Sequence, residues 1–277
     1  MLKTVLVALD GSPFSDTGTA LALDWGVRFG AHLIGLAIVD EPSINKGEAV
    51  PMGAGEYKKS LDRARLADAH ERVAGFLSIF RDRCDAASVP VATLEETGDP
   101  TRCILKNAHR SDLVVLGYET HFHFETQDSP DTVRAKILRR SPRPIVVVPR
   151  SLPEGTGVVV AWGGGREVAR TLQMLVLLGM AGNETIHLVG VTRGGDQVDS
   201  SAGLAAEFLR AHGASCAVHI EASMAAPGRI LLDRIREIRP RLVVMGAHAH
   251  HAIRGLFESS VVRAVLRECP VPVLVGS

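Results

Sequence analysis

The chain has 277 residues, 46% of them hydrophobic, and its 31 Lys plus Arg balance 31 Asp plus Glu. Zero net charge removes the broad basic field that recruits nucleic acid or anionic membrane. The apolar content removes a disordered chain, and the length fits two domains that each bury a core.

The first apolar run, in MLKTVLVALDGS, is broken by Asp10 and is too short for a secretion signal. No later run reaches membrane-spanning length. Cys84, Cys103, Cys216 and Cys269 are scattered without a CxxC pair. A cytoplasmic protein with reduced, mostly buried thiols is the expectation.

Strand-like and helix-like segments alternate along the whole chain, the pattern of a parallel α/β sheet. Thr4 to Asp10 is a short Val/Leu-rich run too short for a helix, and a helix is predicted from about Ser15 to Gly30. In that helix Leu21 and Trp25, and Leu23 and Val27, fall four apart and supply its apolar positions. His32 to Asp40 reads as the second strand, Glu41 to Tyr57 as a long loop, and roughly Lys59 to Cys84 as a charged helix. Val89 to Glu96 is the third strand. Asp99 then caps a third helix that has Pro100 at its first position. A fourth strand ends at Gly117, a fourth helix spans about Asp131 to Arg140, and Ile145 to Val148 is the fifth strand.

After a linker at about 151–156 the same order returns. Val158 to Trp162, Thr185 to Val191, Ser215 to Glu221, RLVVMG at Arg241 to Gly246, and PVLVG are its strands, with helices between them. The interval from Gly117 to Gly246 differs by a single residue from that between Pro142 and Pro270. The chain is thus a duplication, with domains expected at 1–150 and 157–277, the second shortened after its second strand. Short right-handed connections put each copy in a five-stranded, doubly wound parallel sheet with helices on both faces. With the order 3-2-1-4-5, a ligand would bind where the winding reverses, beyond the carboxyl ends of strands one and four. Antiparallel pairing of Ile145–Val148 with Val271–Val275 would join the copies as a pseudo-dimer and cover both edges.

At those positions the residues resemble the universal stress protein family in its tandem, two-domain form. The resemblance rests on VALDGS with Ser15 following, on TGDP (Thr97 to Pro100), and on the closing stretch from Val243 to Val275. It implies a Rossmann-like 3-2-1-4-5 fold, dimerisation through fifth strands, and ATP binding in some members. The family's nucleotide loop reads Gly-x-x-Gly, nine residues, Gly-Ser/Thr. Here the first glycine is Gly246 and the hydroxyl is Ser260, while Ala249 and Ser259 stand at the other two glycine positions. In the first copy the resemblance puts Asp10 on the ribose or adenine side and Val39 against the adenine. The loop after Gly117, however, carries Glu119, Glu125 and Asp128 instead of glycines.

The expected role is a cytoplasmic stress-response regulatory module that binds ATP, a related adenine nucleotide or another anion in degenerate sites. The candidate contacts are Asp10, Gly11, Ser12, Val39 and Gly117 in the first copy, and Gly246, His248, Ala249, Arg254, Ser259 and Ser260 in the second. The physical basis in the second copy is a helix N-terminus with orphan N–H donors. The bland reading is that Ser259 and Ser260 simply cap that helix, and that Asp10-Gly11-Ser12 is a turn. Two rival classes stand beside it: a weak ATPase with His248 placing water near Ser260, and a scaffold with vestigial pockets. A zinc site of His121 and His123, repeated as His250 and His251, is a further option against solvated loop histidines. A nucleophile elbow, a Walker A lysine and a Cys/His constellation are all missing from the sequence, so a dedicated enzyme is not expected.

Overall fold

The structure is a computed structural model that describes residues 1–45, 55–123, 132–192, 197–247 and 260–276. It comprises two compact units. One holds Lys3–Pro142; the other holds Arg143–Ser277 together with Met1 and Leu2.

The 3–142 unit is built on β1 (Thr4–Leu9), β2 (His32–Val39), β3 (Val91–Thr97) and β4 (Leu113–Gly117). Leu6 is in register with both Ile34 and Val114, so β1 lies between β2 and β4. Ile34 in turn faces Ala92 of β3. All these pairs are parallel, and the order is β3-β2-β1-β4. Strands β1, β2 and β4 are buried on both faces, which explains their unbroken apolar sequence. The edge strand β3 is only partly buried and carries Thr93, Glu95 and Glu96.

Helix α1 (Pro13–Phe29) starts two residues before the expected point because Ser12 caps it, its hydroxyl accepting the Ser15 N–H at 3.2 Å. Its packing face keeps Leu21 and Trp25 of the expected positions but not Val27. Leu21 and Trp25 are buried, but Val27 is 66% exposed, and the contact runs instead through Gly18, Ala22 and Gly26. A Cβ at Gly26 would fall 2.5 Å from Val89, so close approach replaces a second apolar row. The expected loop after β2 opens with a helical turn, α2 (Glu41–Ile44), capped by Asp40. Helix α3 (Gly55–Ala86) is longer than its apolar pattern indicated, with four buried side chains in 32 residues: Ala69, Val73, Phe80 and Cys84. Helix α4 (Pro100–Ala108) begins as expected, with Asp99 accepting the Arg102 N–H at 2.8 Å. Helix α5 (Val133–Arg140) closes the unit.

The 143–277 unit contains β5 (Ile145–Val148), β6 (Val158–Ala161), α6 (Arg166–Leu177), β7 (Ile186–Thr192), α7 (Gln197–Ala211) and β8 (Cys216–Ala222). It continues with α8 (Pro227–Ile238), β9 (Leu242–Gly246), α9 (Ser260–Glu268) and β10 (Val273–Gly276). Here β6 lies between β7 and β9, β8 pairs with β7, and β10 pairs with β9, all parallel. The other side of β10 meets β5 antiparallel, with Leu274 opposite Val146. The fifth strand of the first repeat is therefore a structural part of the second unit, and all four of its residues are buried. The first two residues of the chain pack there too: Leu2 is fully buried and donates its N–H to Leu178 O at 2.7 Å.

The four cysteines are unpaired, with Cys84 and Cys103 buried and Cys216 and Cys269 half-buried. Burial pushes the Cys84 and Cys269 thiols up to about 11. No helix among the described residues is long and apolar enough to cross a membrane.

Candidate functional site

In the 3–142 unit the ends of β1 and β4 define the expected crevice, and the chain's own groups engage it. Asp10, 8% exposed, accepts the Ser12 N–H at 3.0 Å on one oxygen and the His121 N–H at 2.8 Å on the other. Its carboxylate thus ties the turn after β1 to the loop after β4. Gly11 has φ +74°, a left-handed conformation that suits glycine, and a Cβ there would lie 2.3 Å from the Phe76 ring of α3. Val39 is fully buried at the end of β2, and its carbonyl accepts the Gly98 N–H at 2.9 Å.

The loop after Gly117 folds back tightly: a Cβ on that glycine would meet Glu119 O at 2.5 Å and Phe14 at 2.7 Å. Phe122 is 1% exposed, and the next residue, His123, pairs through Nδ1 with the buried Asp40 carboxylate and lies 3.3 Å from Ser43 Oγ. Arg134 stacks 4.2 Å over the Tyr118 ring and donates to the Tyr118 carbonyl. Asp40 and Phe122 were not among the sequence candidates. The one signal available was that Asp40 follows β2 as Asp10 follows β1.

Cys103, on α4, is held above the ordinary thiol range by burial first and then by Glu96, with Asp99 and Asp40 adding to the effect. Glu96 itself is held below the usual carboxylate range by hydrogen bonds from Asn107 and Lys106. The loop histidines do not converge: His123 is engaged by Asp40, and His121 Nε2 lies 4.0 Å from Glu119. Among the described residues no three His, Cys, Asp or Glu side chains gather where a metal ion could sit.

The equivalent crevice of the 143–277 unit is built differently. Gly163 stands in place of Asp10, and a Cβ there would meet no atom of the described residues within 4 Å. Trp162, directly after β6, is buried and donates from Nε1 to Ser201 Oγ at 3.0 Å. Gly165 caps α6 without a side chain, so the first-turn N–H groups receive no capping bond from it. Glu167 lies in the same turn and places a carboxylate near that end. Gly246 ends β9 directly against α6: a Cβ there would fall 2.9 Å from Val168 N and 3.0 Å from Glu167 Cβ. Ala247 then donates its N–H to Gly276 O at 2.8 Å. Ser260 opens α9. His248, Ala249, Arg254 and Ser259, like His250 and His251, lie outside the described residues.

Two parallel α/β units with duplicated crevices at the ends of their first and fourth strands define a tandem, doubly wound protein. The family model for the universal stress protein family matches residues 1–149 and 160–276, and the chain belongs to that family. It is 24% identical over 288 residues to a universal stress protein of Synechocystis, covering 99% of both chains. A universal stress protein of Mycolicibacterium smegmatis is 30% identical over 145 residues, 52% of this chain and 45% of that protein. Among solved structures, a universal stress protein from Archaeoglobus fulgidus has the same fold. It aligns with a TM-score of 0.73 at 20% identity, covering 99% of this chain and 96% of its own. A Pseudomonas aeruginosa structure described as a putative universal stress protein aligns at 0.58 with 14% identity, over 99% of this chain and 92% of its own.

Proposed function

We propose that this protein is a cytoplasmic stress-response regulator that binds an adenine nucleotide, ATP or a relative of it, or a comparable anion. The ligand goes to the crevice of the 143–277 unit, and the crevice of the 3–142 unit serves as a structural clasp. The observation that carries this reading is the contrast at one equivalent position. Asp10 already accepts two backbone N–H groups, whereas no described residue fills the space a side chain would occupy at Gly163. Gly246 and the start of α6, whose N-cap residue Gly165 brings no side chain, line this crevice, and Ser260 begins the helix that follows it. Occupancy would stiffen the segment between β9 and α9 and change a surface that partners read. The unpaired thiols support the cytoplasmic assignment. The repeated sequence and the β5–β10 pairing support an internal pseudo-dimer in which one repeat lends its last strand to the other.

The test is melting temperature and calorimetry with ATP, ADP and AMP, with and without magnesium. A ligand at 100 times its Kd stabilises by about 2.7 kcal/mol. Ser260→Ala should weaken this effect, while Asp10→Asn should leave it unchanged. No stabilisation by any of the three nucleotides would favour the scaffold reading, for which the self-engaged first crevice already speaks. Release of phosphate from ATP, lost in Ser260→Ala, would favour the weak ATPase instead.

A further inference from the structure

His187 on β7 and His219 on β8 lie on one face of the sheet, a diagonal step apart, because His219 is in register with Val189. Their rings stack with centroids 5.3 Å apart and planes inclined by 26°. His187 Nδ1 lies 3.1 Å from His219 Nε2. Such a contact requires one of the two facing nitrogens to present a lone pair, since two N–H groups would repel.

The separation has a second meaning. Two imidazole nitrogens bound roughly 2.0–2.1 Å from one ion stand roughly 2.9 Å apart at a right angle and roughly 3.4 Å apart at a tetrahedral one. The observed distance lies between those limits. Both rings are half-buried on paired strands, so little ordering remains for a metal to impose.

We propose that His187 and His219 form a two-imidazole site for a divalent transition metal ion of the zinc or copper type, with water completing its coordination. On binding, the proton on the facing nitrogen moves to the far nitrogen of the same ring. Two lone pairs then converge on the ion, and the protein's proton count does not change. The carboxylates on either side are engaged elsewhere. Glu221 meets Arg234 at 3.4 Å, and Glu184 meets Arg241 at 2.6 Å and the Gly157 N–H at 2.6 Å. The two imidazoles are left as the donor pair, and the neighbouring ion pairs hold the local charge near balance.

The experiment titrates the metal-free, full-length protein with zinc chloride and with copper(II) sulfate at pH 7.5, read by calorimetry and by metal analysis after dialysis. One ion per chain is expected. It should be lost in His187→Gln and in His219→Gln, and kept when His121, His250 and His251 are all changed to Gln. A His219→Cys variant, which supplies a thiolate at the same place, should recover zinc. If the single variants fold poorly, nitrogen NMR of the wild-type imidazoles gives an independent readout. Zinc should shift the resonances of His187 Nδ1 and His219 Nε2 together. Unchanged stoichiometry in His219→Gln, no binding of either metal, or imidazole signals of this pair that ignore zinc would each overturn the proposal.

Discussion

Asp10 illustrates how one residue type carries two meanings that only contacts separate. A carboxylate closing the first strand reads equally well as a ligand wall or as a turn. In the structure it accepts N–H groups from Ser12 and His121, residues 111 positions apart in the second case. Hydrogen bonds to a buried charge contribute about 1.5–3 kcal/mol each. Losing both bonds, Asp10→Ala should therefore lower unfolding stability by about 3–6 kcal/mol in urea denaturation, and Asp10→Asn, which keeps one acceptor, should cost less. A value for Asp10→Ala within error of wild type would mean that the clasp contributes nothing. The turn itself was visible in the Asp-Gly-Ser string; the partner His121 was not, because nothing local links it to residue 10.

The two repeats permit a controlled comparison of elements. Asp99 and Ala226 hold the same N-cap position before Pro100 and Pro227, with φ/ψ of −62°/122° and −62°/121°. Only Asp99 supplies a capping oxygen. Asp99→Ala should cost about 1 kcal/mol, and Ala226→Asp should gain a similar amount, since the backbone is already in the receiving geometry. Equal and opposite shifts in the denaturation midpoint would confirm this, and no gain for Ala226→Asp would refute it. The β7–β8 pair makes a pH prediction. Burial and His219 depress His187 below its ordinary value of 6.5, so the unfolded chain binds that proton more readily. The associated stability is complete above about pH 6.5 and is lost as pH falls toward the folded value. Chemical denaturation at pH 7.5 and 5.5 should show a smaller loss for His187→Gln than for wild type. Element existence was legible here, from Val-rich runs and the Asp99-Pro100 start. On α1 the Leu21/Trp25 positions were legible, but the rest of the packing side was not, because contacts through Gly18, Ala22 and Gly26 leave no apolar period to read.

At the scale of the molecule, the repeat boundary and the packing boundary are different objects. The repeated sequence closes after the strand at Ile145–Val148, yet that strand packs with residues 143–277 through its antiparallel ladder with β10. A fragment beginning at residue 143 should accordingly melt at a higher temperature than one beginning at residue 157. The shorter fragment loses four fully buried β-branched side chains, each contributing about 1.5–3 kcal/mol of burial, and exposes the β10 edge. Equal melting temperatures would show that β5 is dispensable to that unit.

The sequence alone determined the duplication, the α/β alternation and the places where strands one and four end. Those features are local: a strand needs a short apolar run, a helix needs a cap, and a repeat needs only self-similarity. Tertiary structure decided what engages the crevice of the 3–142 unit, because Asp40, Phe76, Phe122 and His123 come from separate segments. It also decided that His187 and His219 meet. Residues far apart in a chain become neighbours through strand register, and register is fixed by the packing of whole sheets.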